Sequence, residues 1–156
     1  MASGDGGDIE QYRALMKMRS NPDWRYSGMS RTEIANEVKA RSSILLSKRH
    51  SIPQDSGRGI KFSATNDDIE HLISDAQGRA KGTFYISDIP NLHRYFGKAK
   101  FIKRVRDTKH DNNGVHFNYY EITVAGRKMY LNIREDRKRH RTTLYSVTKA
   151  IKEEKD

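Results

Sequence analysis

Two histidines, His93 and His116, have the chemistry needed for proton transfer near neutral pH. His93 lies in the segment Pro90–Tyr95 next to Arg94, and His116 stands near the start of a segment rich in aromatic and β-branched residues. An unperturbed imidazole titrates at about pH 6.5, so it can accept or donate a proton under physiological conditions. Either histidine can serve as a general base, and the sequence leaves the choice between them open.

The segment Lys128–Glu135 predicts a strand with two chemically different faces. Its apolar side chains alternate with polar and aromatic ones: Met129, Leu131 and Ile133 against Tyr130, Asn132 and Arg134. Successive side chains of a strand point to opposite faces, so we expect the apolar set to pack on a core. The other face then carries groups suited to an anionic ligand, although an ordinary solvated sheet face has the same alternation.

The next predicted strand adds two more candidates to that polar face. If Leu144 points to the core, Thr143 and Tyr145 lie beside Arg134 on the polar face. Further basic and polar residues are expected to contact RNA: Lys103, Arg104, Tyr130, Asn132, Arg139 and Arg141. The sequence therefore predicts a cationic surface on the sheet and on the turn before its last strand.

An α+β fold must position these residues, with helices packed on one face of a small antiparallel sheet. A capping box at Ser30–Glu33 begins a helix that runs to about Lys48. Further helices are predicted at Ile9–Arg19, Asn66–Gly78, Ser87–Gly97 and the C-terminus, and a meander of strands at Val115–Val124, Lys128–Glu135 and Thr142–Thr148. The stretch Lys98–Arg106 fits either a helix or a strand.

The chain is expected to divide within the segment Ser51–Thr65, which resembles a loop in its proline and glycine content. Residues 1–60 are predicted to be an N-terminal helical extension that begins with a disordered lead. Residues 61–156 form the second unit, which we expect to fold without the first.

Composition points to an anionic partner and limits the chemistry. The net charge is +10, and the last 59 residues carry 16 Lys and Arg against 8 Asp and Glu. Such a field attracts polyanions, an acidic protein as well as a nucleic acid. No cysteine is present and no run of apolar residues exceeds three, so neither a thiolate site nor a membrane span is expected. Glu135–Asp136 is predicted to be a turn, and we expect no metal and no cofactor.

Three segments together resemble one domain family: Asp88–Leu92, Tyr120–Glu135 and Leu144–Val147. They are similar to the large polyvalent protein-associated, phage-linked domain of the barnase–EndoU–colicin–RelE-like nuclease superfamily, over about residues 62–154. The resemblance implies a small metal-independent ribonuclease with a catalytic histidine, His93 or His116. It also implies a cation, Arg134 or Arg104, and a Thr-x-Tyr pair at Thr143 and Tyr145.

The resulting hypothesis is a toxin-like ribonuclease that cleaves RNA by attack of the ribose 2′-hydroxyl. RNA, with tRNA among the candidates, is the expected partner, together with an acidic immunity or antitoxin protein and no membrane. The site of action is expected to be the cytoplasm, with delivery as the C-terminal part of a larger protein. The alternative is a non-catalytic module of a mobile-element protein that binds nucleic acid or an inhibitor.

Overall fold

The computed structural model describes residues 28–77, 86–108, 114–124 and 126–151. The predicted helix Ile9–Arg19, the disordered lead and the C-terminal helix lie outside these residues. None of the helices in the described ranges is long and apolar enough to cross a membrane.

Helices precede a C-terminal antiparallel sheet, which confirms the predicted α+β class. The described elements, in chain order, are α1 (Arg31–Leu46), β1 (His50–Ile52), a 3₁₀ turn (Gln54–Ser56), β2 (Ile60–Phe62), α2 (Asn66–Gln77), a 3₁₀ segment (Ile86–Lys98), β3 (Lys100–Arg106), β4 (Val115–Val124), β5 (Arg127–Asp136) and β6 (Arg141–Thr148). The three predicted meander strands agree with β4, β5 and β6 to within one residue at each end.

Side-chain caps fix where the two α-helices begin. At α1, Glu33 N donates to Ser30 Oγ and Ser30 N donates to Glu33 Oε1, each at 3.1 Å, so the predicted capping box is present. At α2, Asp68 N donates to Thr65 Oγ1 at 3.1 Å and Thr65 N donates to Asp68 Oδ2 at 2.8 Å. Both boxes satisfy backbone donors that the first helical turn leaves without partners.

Four strands form the main sheet in the order β3-β4-β5-β6, and every neighbouring pair is antiparallel. The hairpin β1–β2 forms a second, two-stranded sheet. A parallel bridge between Ser63 and Thr143 joins the end of this hairpin to β6. In that bridge Ser63 N donates to Thr142 O at 3.2 Å, and Leu144 N donates to Ser63 O at 3.0 Å.

Local structure differs from the sequence prediction in two segments and decides a third that the sequence left open. The predicted loop Ser51–Thr65 contains most of β1 and all of β2, and these three-residue strands are too short for a periodic signal. The ambiguous stretch Lys98–Arg106 is mostly the strand β3. The segment around Pro90, predicted to be helical, is a 3₁₀ helix, which closes a tighter turn than the α-helix.

One hydrophobic core connects the sheet with the helices and crosses the predicted domain boundary. Met129, Leu131 and Ile133 are buried in it, as the alternation predicts. Val38 and Leu46 of α1 belong to the same core, whereas Ile44 of the same helix is 67% exposed. The two-unit division stays a prediction, but this shared core favours cooperative folding of α1 with the sheet.

Candidate active site

The apolar side chains of Met129, Leu131 and Ile133 define the inner face of the sheet. At one end of this face lies a group of polar residues. β5 continues through Asp136, so Glu135 is a strand residue on the inner face and not part of a turn. In register it lies beside His116 of β4, while Asn118 lies beside Ile133. Arg104 of β3 pairs with Asn118, which brings it to the same face.

Glu135 is the centre of this group. Its Oε1 atom accepts hydrogen bonds from Asn118 Nδ2 at 2.7 Å and from Arg58 Nη2 at 3.3 Å. The Nε atom of Arg104 forms an ion pair with the same oxygen at 3.6 Å. We call Arg58, Arg104, His116, Asn118 and Glu135 the Glu135 cluster.

The β1–β2 hairpin places Arg58 in the cluster. Gly57 has φ +113°, a left-handed conformation that glycine adopts readily, and it precedes Arg58 in the turn between the strands. The hydroxyl of Tyr120 donates a hydrogen bond to Arg58 O at 2.7 Å, and Arg58 Nε donates to Asn118 Oδ1 at 3.1 Å. Burial raises the pKa of Tyr120 to about 12, so the phenol stays protonated and keeps this donor.

Partial burial and neighbouring charges set the protonation of the two titratable groups. Burial, followed by the positive charges of Arg104 and Arg137, lowers the pKa of His116 from its usual 6.5. Burial acts to raise the pKa of Glu135, but the Asn118 hydrogen bond and the two arginines outweigh it and hold the pKa below 4.5. Near neutral pH the cluster therefore contains a neutral imidazole, a carboxylate and two guanidinium groups.

Several polar atoms of the cluster make no hydrogen bond to the described residues. Arg104 Nε and Nη2 and His116 Nδ1 are buried without a hydrogen bond. An arginine fork binds the oxygens of a phosphate, and a neutral imidazole nitrogen accepts a proton. The guanidinium of Arg104 can therefore bind the oxygens of a phosphodiester, and the imidazole of His116 can act as a general base on it.

Most of the other predicted catalytic residues lie on the outer face of the sheet, which is defined by Tyr130, Asn132 and Arg134. Arg134 pairs in register with Thr143 and forms an ion pair with Asp136 at 3.6 Å. Asn132 is only 4% exposed, so this part of the face is packed rather than open. The structure thus keeps Arg134 and Thr143 together and places them across the sheet from His116.

Tyr145 lies at a bulge of β6, between the register pairs Ile133–Leu144 and Asn132–Ser146. Its ring centroid is 5.2 Å from that of Phe117 and 5.6 Å from that of His71. Phe117 pairs with Arg134 on the outer face. Tyr145 therefore lies near the predicted Arg134–Thr143 pair, and no contact links it to His116 in the described part of the chain.

The remaining predicted residues are dispersed. His93 lies on the 3₁₀ segment, where its Nδ1 is 3.0 Å from Pro90 O. Lys103 pairs with Tyr119, which brings it to the outer face with Tyr130 and Asn132. Arg139 and Arg141 are exposed at the turn before β6, and Arg139 forms an ion pair with Asp136 at 4.0 Å.

Sequence reasoning missed Arg58, Asn118 and Glu135. The Gly57-Arg58-Gly59 tripeptide was a usable signal, because glycines on both sides of an arginine are typical of a tight turn that exposes it. Glu135 is the last residue of the predicted strand Lys128–Glu135 and continues the alternation of Leu131 and Ile133, so the alternation alone places it on the inner face.

Comparisons with protein-family models, curated protein sequences and solved structures found no match to this chain. The resemblance to the nuclease superfamily therefore stays a prediction. Across the described residues, no three His, Asp or Glu side chains converge in an arrangement that could hold a metal ion.

Proposed function

We propose that the chain is a ribonuclease that cleaves RNA without a metal ion, with the Glu135 cluster as its active site. The observation that carries the proposal is the pairing of one carboxylate with two arginines beside a histidine of lowered pKa. Perturbed titratable groups next to cations are typical of catalytic sites. The large basic excess of the chain supports a polyanionic substrate.

In this reaction neutral His116 accepts the proton of the ribose 2′-hydroxyl as the 2′ oxygen attacks the adjacent phosphorus. The bond from phosphorus to the 5′ oxygen breaks, and the leaving oxygen takes a proton from solvent. The products are a 2′,3′-cyclic phosphate and a 5′-hydroxyl end. Arg104 and Arg58 stabilise the charge on the phosphorane, a contribution worth about 3–4 kcal/mol for one well-placed donor.

Glu135 has a positioning role in this proposal. Its carboxylate holds the two guanidinium groups close together, and its low pKa makes it a weak base. His116 is the better base because its imidazole is neutral near pH 7.

The test is cleavage of total RNA in EDTA, followed by analysis of the new ends. We expect 2′,3′-cyclic phosphate ends, and His116→Ala should reduce the rate about 100- to 10,000-fold, as loss of a general base does. His93→Ala is the matched control, because His93 lies on a different element, and it should leave the rate unchanged. Full activity of the His116→Ala variant, with the fold intact, would exclude His116 as the base.

A second candidate function is binding of nucleic acid without catalysis. The contacts of Glu135 favour this function. Its carboxylate already has protein partners, namely Arg58, Asn118 and Arg104, as in an ion pair with a structural role. RNA that binds tightly and is never cut would support this function.

The proposed partners follow from the basic turn before β6. Arg137, Lys138, Arg139, His140 and Arg141 are all exposed. RNA, tRNA among the candidates, would bind this turn, and an acidic immunity or antitoxin protein would cover it. Action in the cytoplasm, after delivery as part of a larger protein, belongs to the same proposal.

A further inference from the structure

A cavity of about 190 Å³ lies where the end of β2 meets the beginning of β6. The residues that line it include three with cationic side chains, Arg49, Lys61 and Arg141, together with His140. No Asp or Glu of the described residues lines it. It contains no residue of the Glu135 cluster, so it is a separate place for a ligand.

Among the described residues, no carboxylate neutralises the positive charges around this cavity. Within the described ranges, no carboxylate forms an ion pair with Arg49, Lys61 or Arg141. Asp136, the strand neighbour of Arg141, instead contacts Arg134 and Arg139. Like charges placed around one cavity repel each other, and an anion between them relieves that repulsion.

Backbone contacts hold the walls in place. The Ser63–Thr143 bridge fixes β2 against β6, and His140 has φ +51°, an uncommon left-handed conformation at the end of the turn. Ser63, Thr142 and Thr143, each of which carries a hydroxyl group, are also among the residues that line it. Arginine forks and hydroxyl donors are the groups that bind phosphate oxygens.

The size of the cavity agrees with this chemistry. A water molecule occupies about 30 Å³ in the liquid, so the cavity has room for a tetrahedral anion with several waters. A mainly polar lining does not favour an apolar ligand. We propose that this cavity is a binding site for a phosphate group.

The phosphate has more than one possible source. Thr142 pairs in register with Glu135, so the cavity begins one strand away from the Glu135 cluster, a spacing of about 4.8 Å between strands. A phosphate of RNA, either terminal or within the backbone, is one source, and a free phosphate compound is another. The proposal does not depend on ribonuclease activity, because phosphate can bind here whether or not RNA is cut.

The experiment is an amide NMR titration of the full chain with inorganic phosphate, at an ionic strength of about 0.15 M, where exposed charges farther apart than about 8 Å are screened. We expect the amide signals of Ser63, Thr142 and Thr143 to shift together. Arg141→Gln and Lys61→Gln should each weaken binding about tenfold or more, since each removes a charged hydrogen-bond donor. Lys138→Gln is the matched control, because it removes the same charge from the same turn outside the cavity.

Two 2′-O-methyl oligonucleotides, one with a 5′-phosphate and one with a 5′-hydroxyl, identify the source. Tighter binding of the first that disappears in Arg141→Gln indicates a terminal phosphate. If both oligonucleotides bind the native chain equally well and both bind Arg141→Gln more weakly, the source is the RNA backbone. If Arg141→Gln weakens the binding of inorganic phosphate but of neither oligonucleotide, the source is a free phosphate compound. The proposal is overturned if phosphate shifts none of these three amides, or if Lys138→Gln weakens binding as much as Arg141→Gln. Lys61→Gln supplies the same comparison if Arg141→Gln does not fold.

Discussion

Arg58 Nη2 donates a hydrogen bond of 3.3 Å to Glu135 Oε1, although 77 positions separate the two residues in the chain. The contact joins the β1–β2 hairpin to the C-terminal end of β5, just before the turn to β6. Because the same carboxylate oxygen accepts from Asn118, which is fully buried, the contact also orients a buried amide.

We predict that Arg58 and Glu135 are energetically coupled. Arg58→Met should lower the free energy of unfolding by about 1 kcal/mol, because its side chain is partly exposed. Glu135→Gln should lower the free energy of unfolding by about 1–3 kcal/mol, because it removes the negative charge that faces two guanidinium groups. Urea unfolding of both single variants and the double variant gives the coupling, expected at about 0.5–3 kcal/mol. Additive effects would show that the pair is not coupled.

The activity should depend on the protonation of His116. Since the pKa of His116 is lowered and the base acts in its neutral form, the rate should rise with pH and reach its half-maximal value below pH 6.5. NMR titration of the His116 ring in the full chain measures the same pKa directly. Arg104→Gln removes a positive charge and should raise this pKa, whereas Glu135→Gln removes a negative charge and should lower it.

Arg134→Gln is the control for that titration, because Arg134 lies on the outer face of the sheet. It should leave the pKa of His116 unchanged. A pKa shift as large as that produced by Arg104→Gln would mean that charges on the outer face act on His116.

Cleavage should persist when metal ions are removed. In the described ranges, no group of His, Asp and Glu residues offers three ligands to one metal ion. Total RNA incubated with the protein in EDTA should be cut at the same rate as in Mg²⁺. Loss of cleavage in EDTA that Mg²⁺ or Zn²⁺ restores would contradict the proposed mechanism.

The two faces of β5 should respond differently to truncation of a side chain. Leu131 is fully buried, so Leu131→Ala should reduce the free energy of unfolding by about 2–5 kcal/mol. Arg134 is partly exposed and Asp136 retains its contact with Arg139, so Arg134→Ala should cost about 1 kcal/mol or less. Thermal and urea unfolding measure both. A larger loss of stability for Arg134→Ala than for Leu131→Ala would mean that the outer face, and not the inner face, packs on the core.

The N-terminal segment should be needed for folding of the sheet. Leu46 is buried in the common core, and Ala64 N donates a hydrogen bond to Leu46 O at 3.2 Å. A chain of residues 61–156 also loses β1 and Arg58, so we expect it to lack a cooperative thermal transition. In the full chain, Leu46→Ala should destabilise as much as Leu131→Ala, by about 2–5 kcal/mol. Cooperative unfolding of residues 61–156 would instead support the two-unit division predicted from the sequence.

Much of the fold follows from the sequence because its signals are local. The alternation in β5 determines which residues face the core, since strand geometry turns each successive side chain to the opposite face. The Ser30–Glu33 capping box places the start of α1 for the same reason, because its hydrogen bonds join residues three positions apart. The face shared by Tyr130, Asn132 and Arg134 was predictable on these grounds.

Only the tertiary structure decided which polar groups meet. Arg104 and His116 were both candidates from the sequence, but the register of β3, β4 and β5 brings them to one face with Glu135 and separates them from Arg134. Arg58 reaches that face from a hairpin whose strands are too short to be read from periodicity. Contacts between residues far apart in the chain depend on strand pairing and core packing, and no local pattern of residue types specifies those partners.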